Sequence, residues 1–312
     1  MNRKENIRLS LIAYLDQQDI SQNEFAKMSG VPANYLSFII NGKTHIPVNG
    51  KDVEISQKYY NLIAEKLGIS EKKEYWKNIN TVQASQIIST LEDAKDYGTT
   101  NIIIGETGCG KSFITDLFIK NDPRNSFKVT VGSMDTIGDL VDRVCEVMNL
   151  KVQGSKSRKI REIVTGLKRL SLNERKPILI FDEAEYMKQA TLCNIKELHD
   201  HLNKHCGLVL IGTDQLDKKL DKLKKANKDG MPQFYRRVKF GIRRLKEIDT
   251  SFKDFFNELE IKDAQLRRFL SRECDNYGEL HDALVPAMRE ADRLGQPLSE
   301  NLLRMVLQMP KI

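Results

Sequence analysis

Apolar positions along this chain keep two different periods. Over the first 67 residues they recur three and four apart. Ile7, Leu11, Ile12 and Leu15 fall on one helix face, and Asp19-Ile20-Ser21 interrupts it. Ser21 and Glu24 have capping-box spacing, which starts a second helix with Phe25 and Ala26 facing inward. Ser29-Gly30-Val31 turns the chain, Pro32 suits a first helical position, and Leu36, Phe38 and Ile39 carry a third helix to Asn41-Gly42. A further helix is predicted around Ile55–Leu67. Residues 68–80 are polar, hold the sole tryptophan, and read as a linker. A helix with Val82, Ile87, Ile88 and Leu91 on one face then runs from about Thr81 to Asp96. Beyond it, short apolar runs alternate with helical spacing. Asn101–Ile104, Phe127–Val131, Pro177–Phe181 and Leu208–Ile211 read as buried strands. Ile137–Met148 and the stretch holding Ile160, Ile163, Val164 and Leu167 read as helices. This alternation predicts an α/β fold with a parallel sheet covered on both faces. After about Ile248 only helical spacing remains, through Phe252, Phe256, Phe269, Leu284 and Leu303. The expected organisation is a small all-α domain over 1–67, a linker over 68–80, an α/β core over 81–248 and a helical lid over 249–312.

Composition narrows the class. The 312 residues are 40% hydrophobic and 30% charged, as in a folded globular protein. No apolar run approaches the length of a membrane span, and the polar start is no secretory signal, so no membrane partner is expected. Five cysteines, odd in number and without a CxxC pair, point to reduced thiols in a cytoplasm. The net charge of +7 permits a polyanionic partner. Solvated helix faces would account for any one basic cluster. Three of them, at Lys151–Arg169, Lys218–Lys228 and Arg236–Lys246, favour nucleic acid.

The chemistry concentrates after the first strand. Gly105-Glu106-Thr107-Gly108-Cys109-Gly110-Lys111-Ser112 is a complete phosphate-binding loop, fed by an apolar strand and followed by a helix-compatible stretch from Phe113. Its glycines let the backbone wrap a polyphosphate, and the helix N-terminus behind it favours anions. Lys111 is expected on the β- and γ-phosphates of ATP and the Ser112 hydroxyl on Mg²⁺. Cys109 stands where only a backbone N–H is needed, although its thiol is a target for alkylation. Asp182 ends a strand expected beside the nucleotide strand and would hold the hydrated Mg²⁺. Glu183 would polarise the attacking water. The next strand ends at Gly212-Thr213-Asp214, where Thr213, or else Asp214, could touch the γ-phosphate. Arg237, with Arg236 next in line, suits an arginine finger reaching a neighbouring subunit, the alternative being solvated or DNA-facing arginines. His199, His201, His205 and Cys206 lack the companions of a zinc site and read as an exposed helix face.

The segment SQNEFAKMSGVPANYLSFIINGK resembles the helix-turn-helix of the phage-repressor type. In that fold the third helix would present Ala33, Asn34, Tyr35 and Ser37 to DNA, with Lys43 as the nearby charge. Taken in order, helix-turn-helix, phosphate loop, IFDEAEYM strand end, VLIGTD strand, RRVKFGI segment and lid resemble the transposition target-selection ATPases of the Mu B and TnsC kind. The resemblance implies a P-loop NTPase core of the AAA+ type, with ATP and Mg²⁺ as cofactors. It further implies an ATP-dependent, homo-oligomeric helical filament on double-stranded DNA, with little sequence preference, that stimulates a DDE-type transposase and comes apart on hydrolysis. His281 would stand where that family has a lid arginine at the nucleotide, and Thr213 where it has asparagine. Lys156, Arg158, Lys159 and Arg161, in and after a Gly-Ser loop, would track DNA phosphates. Two other readings stay open: a sequence-specific repressor with an ATPase switch, and a replication-type loader acting on a protein partner.

Overall fold

The computed structural model describes residues 3–18, 20–48, 51–67 and 75–310. Asp19, residues 68–74 of the expected linker and the last two residues of the expected lid lie outside the described residues. The chain divides into two compact units, Met1–Glu74 and Tyr75–Ile312.

The first unit holds α1 (Arg3–Gln18), α2 (Gln22–Ser29), α3 (Ala33–Ile40), β1 (His45–Val48), β2 (Lys51–Glu54) and α4 (Gln57–Lys66). Ile7, Leu11, Phe25, Leu36, Ile39, Tyr60 and Ile63 form its core. The capping box forms as spelled: Ser21 Oγ accepts from the Glu24 amide at 3.3 Å, and the Glu24 carboxylate accepts from the Ser21 amide at 2.8 Å. The antiparallel β1–β2 pair, His45 opposite Glu54, has no counterpart in the expected elements. Its signal is Asn49-Gly50 in the sequence, the dipeptide of a two-residue hairpin.

The second unit runs through α5 (Val82–Tyr97), β3 (Thr100–Ile104), α6 (Lys111–Asn121), β4 (Ser126–Thr130), α7 (Ile137–Val147), α8 (Lys156–Leu172) and β5 (Ile178–Asp182). It continues with α9 (Gln189–Leu202), β6 (Gly207–Gly212), α10 (Asp214–Lys225), α11 (Met231–Val238) and β7 (Ile242–Arg244). Four helices close it: α12 (Lys253–Glu258), α13 (Ala264–Glu273), α14 (Tyr277–Leu294) and α15 (Glu300–Val306). Among the described residues the sheet is five-stranded and parallel, in the order β4-β5-β6-β3-β7. Every residue of β3, β5 and β6 is buried, because helices cover both faces. One core lies around Phe181, Leu210 and Phe234, and another around Ile87, Ile103 and Val209. The edge strand β7 was not expected, since Ile242-Arg243-Arg244 shows neither alternation nor an apolar run.

The lid has its own core of Phe252, Phe256, Leu266, Phe269, Leu280 and Leu284. Trp76 and Ile79 pack against it, with the Trp76 ring stacked on Phe255 at 5.1 Å. Residues 75–80 therefore belong to the lid's packing, not to a free linker; a polar stretch with one large indole hides that contact from sequence. No helix among the described residues is long and apolar enough to cross a membrane.

Candidate nucleotide-binding site

The site assembles at the C-terminal ends of the parallel strands, where backbone turns leave the sheet. Leaving β3, the chain is held by the Gly105 amide on the Gly212 carbonyl of β6, 3.1 Å. It then curls through Gly108 (φ 75°) and Gly110 (φ 90°), left-handed values that favour glycine. Gly110 is the N-cap of α6 and offers no side-chain cap, so the first amides of that helix lack intrahelical acceptors. A Cβ on Gly110 would meet nothing within 4 Å. An open space ringed by orphan amides at a helix start fits a phosphate group. Lys111 Nζ donates to the carbonyls of Gly105 at 2.9 Å and Glu106 at 2.7 Å, which keeps its charge over the loop. Glu106, Thr107, Ser112 and Phe113 are exposed around this opening. Cys109 is buried, and burial pushes its thiol above the ordinary value. Contrary to expectation, it is a poor target for alkylation. Iodoacetamide at pH 8 should label the half-buried Cys193 well before Cys109; equal rates by mass spectrometry would contradict this burial.

Asp182 and Glu183 end β5, but β5 is not next to β3. β6 lies between them. Neighbouring strands are about 4.8 Å apart, so the acidic pair stands about 10 Å from the loop strand across β6. The extra strand sets Thr213, at the tip of β6, between the loop and the acids. The Thr213 hydroxyl caps α10, accepting from the Gln215 amide at 3.4 Å, while Asp214 is paired with Lys218. Asp182 is buried; its Oδ1 accepts from the Glu183 amide at 3.0 Å. Glu183 itself is exposed and holds φ 56°, ψ 38°, a left-handed conformation costly for a residue with a side chain. Glu185 turns Oε2 toward Gly212, and that oxygen is buried without a hydrogen-bond partner.

Sequence reasoning missed Lys128. From β4 its ammonium reaches Asp182 Oδ2 at 3.1 Å and Asp116 Oδ1 at 2.7 Å. Burial alone would lower its pKa, yet the bonds and charges of Asp116 and Asp182 carry it above the ordinary lysine value. The signal is a lysine between Phe127 and Val129 in a strand whose apolar residues face the core. Lys128→Met should leave a buried carboxylate uncompensated and cost about 3 kcal/mol in urea unfolding. A loss below about 0.5 kcal/mol, the range of an ordinary surface change, would mean that the pair is solvated.

Other expected residues lie elsewhere. His281 is edge-on to Trp76 at 5.1 Å and bonds Asp282 at 2.8 Å, so its ring is engaged inside the lid. Arg237 makes a two-point pair with Asp200 of α9, Nε–Oδ1 2.5 Å and Nη2–Oδ2 3.1 Å, which leaves it little freedom to act as a finger. Arg236 is exposed and makes no ion pair among the described residues. Both precede β7, and Gly241, just before that strand, approaches the Thr100 carbonyl at the start of β3. They thus lie at the end of the sheet opposite their own phosphate loop. His199 is bonded to Thr100 at 2.7 Å, α9 stops at Leu202 before His205, and no described cluster of three or more residues could hold a metal.

The candidate DNA residues divide in the same way. On α3, Asn34 is exposed, Ser37 is half-buried, and Tyr35 is drawn onto Tyr59 with ring centroids 4.4 Å apart. Its expected exposure is corrected by that stacking. Lys43 is exposed and lies 5.4 Å from the Phe38 ring. At the start of α8, Lys156, Arg158 and Arg161 are exposed, whereas Lys159 is paired with Asp142 at 2.5 Å.

Comparison with known proteins agrees with this architecture. Residues 95–220 match the AAA domain family and residues 11–72 a helix-turn-helix family. No curated protein sequence matches the chain. Among solved structures, the ORC2 protein of Aeropyrum pernix in its ADPNP–ADP complexes is 15% identical. That match has a TM-score of 0.57 and covers 76% of this chain and 70% of the other. CDC6P from Pyrobaculum aerophilum is 13% identical with a TM-score of 0.55, covering 78% of this chain and 71% of the other. At such identities the likeness is one of fold. The chain carries an AAA-type P-loop ATPase domain with a five-stranded parallel sheet and a helical C-terminal region, behind an N-terminal helix-turn-helix domain.

Proposed function

We propose that this protein is a Mg²⁺-dependent ATPase whose nucleotide state controls its hold on duplex DNA, and that it selects target DNA for a transposase. The observation that carries the ATPase reading is the pairing of an uncapped glycine-rich loop with the buried Asp182 and the exposed, strained Glu183 two strands away. In this reading Lys111 and the first amides of α6 bind the triphosphate, and the Ser112 hydroxyl and Asp182 carboxylate hold the cation. Bound Mg²⁺ would neutralise charge that builds on the phosphate oxygens. Glu183 takes the proton of the attacking water and Thr213 orients that water or the γ-phosphate. The finger role passes to Arg236, because Arg237 is committed to Asp200.

DNA binding is supported by two features. The helix-turn-helix presents Asn34 and Lys43 on its surface. The first turn of α8 carries Lys156, Arg158 and Lys159 and no acid, a placement that opposes the helix dipole and gains from a nearby anion. The three exposed cations of this stretch, Lys156, Arg158 and Arg161, would give a log–log salt slope of about −2.7 near DNA phosphates. The transposition step and the filament rest on the resemblance in motif order.

Imaging on long duplex DNA tests this proposal. Continuous coverage that grows with duplex length only with ATP supports filament assembly, whereas a discrete footprint favours a sequence-specific repressor. Turnover raised by a protein partner and indifferent to naked DNA favours a replication-type loader, the reading to which the ORC2 and CDC6P folds also lend themselves.

A further inference from the structure

The lid meets the phosphate loop at Gly108. Gly278, in the first turn of α14, donates its amide to the Gly108 carbonyl at 3.2 Å. Asn276, the N-cap of α14, lies so close that a Cβ on Gly108 would stand 2.1 Å from its Oδ1. A Cβ on Gly278 would in turn be 3.5 Å from Gly108 Cα. Gly108 is therefore glycine for two independent reasons, its φ of 75° and the side chain resting on it.

Neighbouring contacts fix this first turn. Asn276 Oδ1 accepts from the Glu279 amide at 2.9 Å, and Asn276 Nδ2 donates to Glu279 Oε1 at 2.8 Å. Tyr277 is buried and donates its hydroxyl to Gln83 Oε1 at 3.0 Å. Gln83 Nε2 then donates to the carbonyls of Lys246 and Glu247, at 3.1 Å and 2.7 Å. The start of α14 is thus tied to the loop on one side and to α5 and the segment entering the lid on the other. His281, one turn further along, is held by Trp76 and Asp282.

We infer that Asn276 and Gly278 are positioning residues that couple ATP in the loop to docking of the lid, without an arginine from the lid. The inference rests on the reading of the loop as the ATP site. A bound triphosphate fixes the loop amides, and each fixed peptide also fixes its carbonyl. The Gly108 carbonyl is the one that Gly278 uses. Whatever sets the loop therefore strengthens lid docking, and lid docking strengthens ATP binding by the same factor.

Asn276→Ser separates this role from folding, because serine caps a helix about as well as asparagine but is too short to rest on Gly108. Hydrogen exchange at the Gly278 amide is read in the full chain with and without Mg²⁺-ATP, alongside ATP affinity by calorimetry. In the unsubstituted chain ATP should slow exchange at Gly278 about tenfold, an ordinary size for coupled sites. In Asn276→Ser this slowing should be lost and the affinity should fall by a similar factor. A merely structural role would not move the ATP-dependent difference. Wild-type slowing and affinity in Asn276→Ser would overturn the inference, as would ATP binding to the unsubstituted chain with no change at Gly278. An unsubstituted chain that binds no ATP would instead refute the loop reading, and this inference with it.

Discussion

Lys111→Ala is expected to abolish ATP binding while leaving the fold intact. The lysine is the charged group over the loop, donating to the carbonyls of Gly105 and Glu106. With ATP those donors would turn to phosphate oxygens, and a hydrogen bond involving charged partners contributes about 1.5–3 kcal/mol. Two such bonds amount to a loss of about 100-fold or more in affinity. Its ammonium bonds only close the loop on itself, to Gly105, Glu106 and Cys109, so the unfolding midpoint without nucleotide should barely shift. Calorimetric titration against ATP is the check, and retained affinity would remove the loop from the nucleotide site.

Glu183→Gln is expected to bind ATP with near-normal affinity and to lose turnover by about 100-fold to 10,000-fold, the range of a missing general base. Glutamine keeps the shape and cannot take the proton. A second substitution separates chemistry from backbone strain. Glu183 holds φ 56°, which costs a side-chain-bearing residue about 1–2 kcal/mol. Glu183→Gly should therefore stabilise the domain by about 1 kcal/mol and be as inactive as Glu183→Gln. A more stable but inactive variant is what a strained functional residue predicts. Unchanged turnover in Glu183→Gln would take Glu183 out of the reaction.

The readable and the hidden parts of this chain divide along physical lines. GETGCGKS, the Phe181-Asp182-Glu183 strand end and the Ser21–Glu24 cap are local. Their chemistry depends on neighbours within a few residues, so spacing alone locates them. Buried parallel strands are equally plain, as uninterrupted apolar runs. What the sequence hides is pairing over long separations. It cannot say that β6 would slip between β5 and β3, that Lys128 would meet Asp182, or that Arg237 would be taken by Asp200. Asn276 meets Gly108 across most of the second unit, and no local pattern marks either as a partner. Trp76 shows the opposite error, in which a polar flank makes a packed residue look like linker. The hairpin at His45–Glu54 was legible through Asn49-Gly50, but Pro47 and the short flanks obscured it.

In the proposed mechanism nucleotide state sets the grip on DNA. Its most direct test is fluorescence anisotropy of a labelled duplex of unrelated sequence, titrated with the full chain in ATP, in ADP and without nucleotide, all at one salt concentration. Binding should be at least tenfold tighter in ATP than in ADP, with Glu183→Gln holding the tight state after the unsubstituted chain has released the duplex. Equal affinity in all three conditions would contradict the mechanism, since an ATPase that does not distinguish its own nucleotide states toward DNA cannot use them to capture and release it.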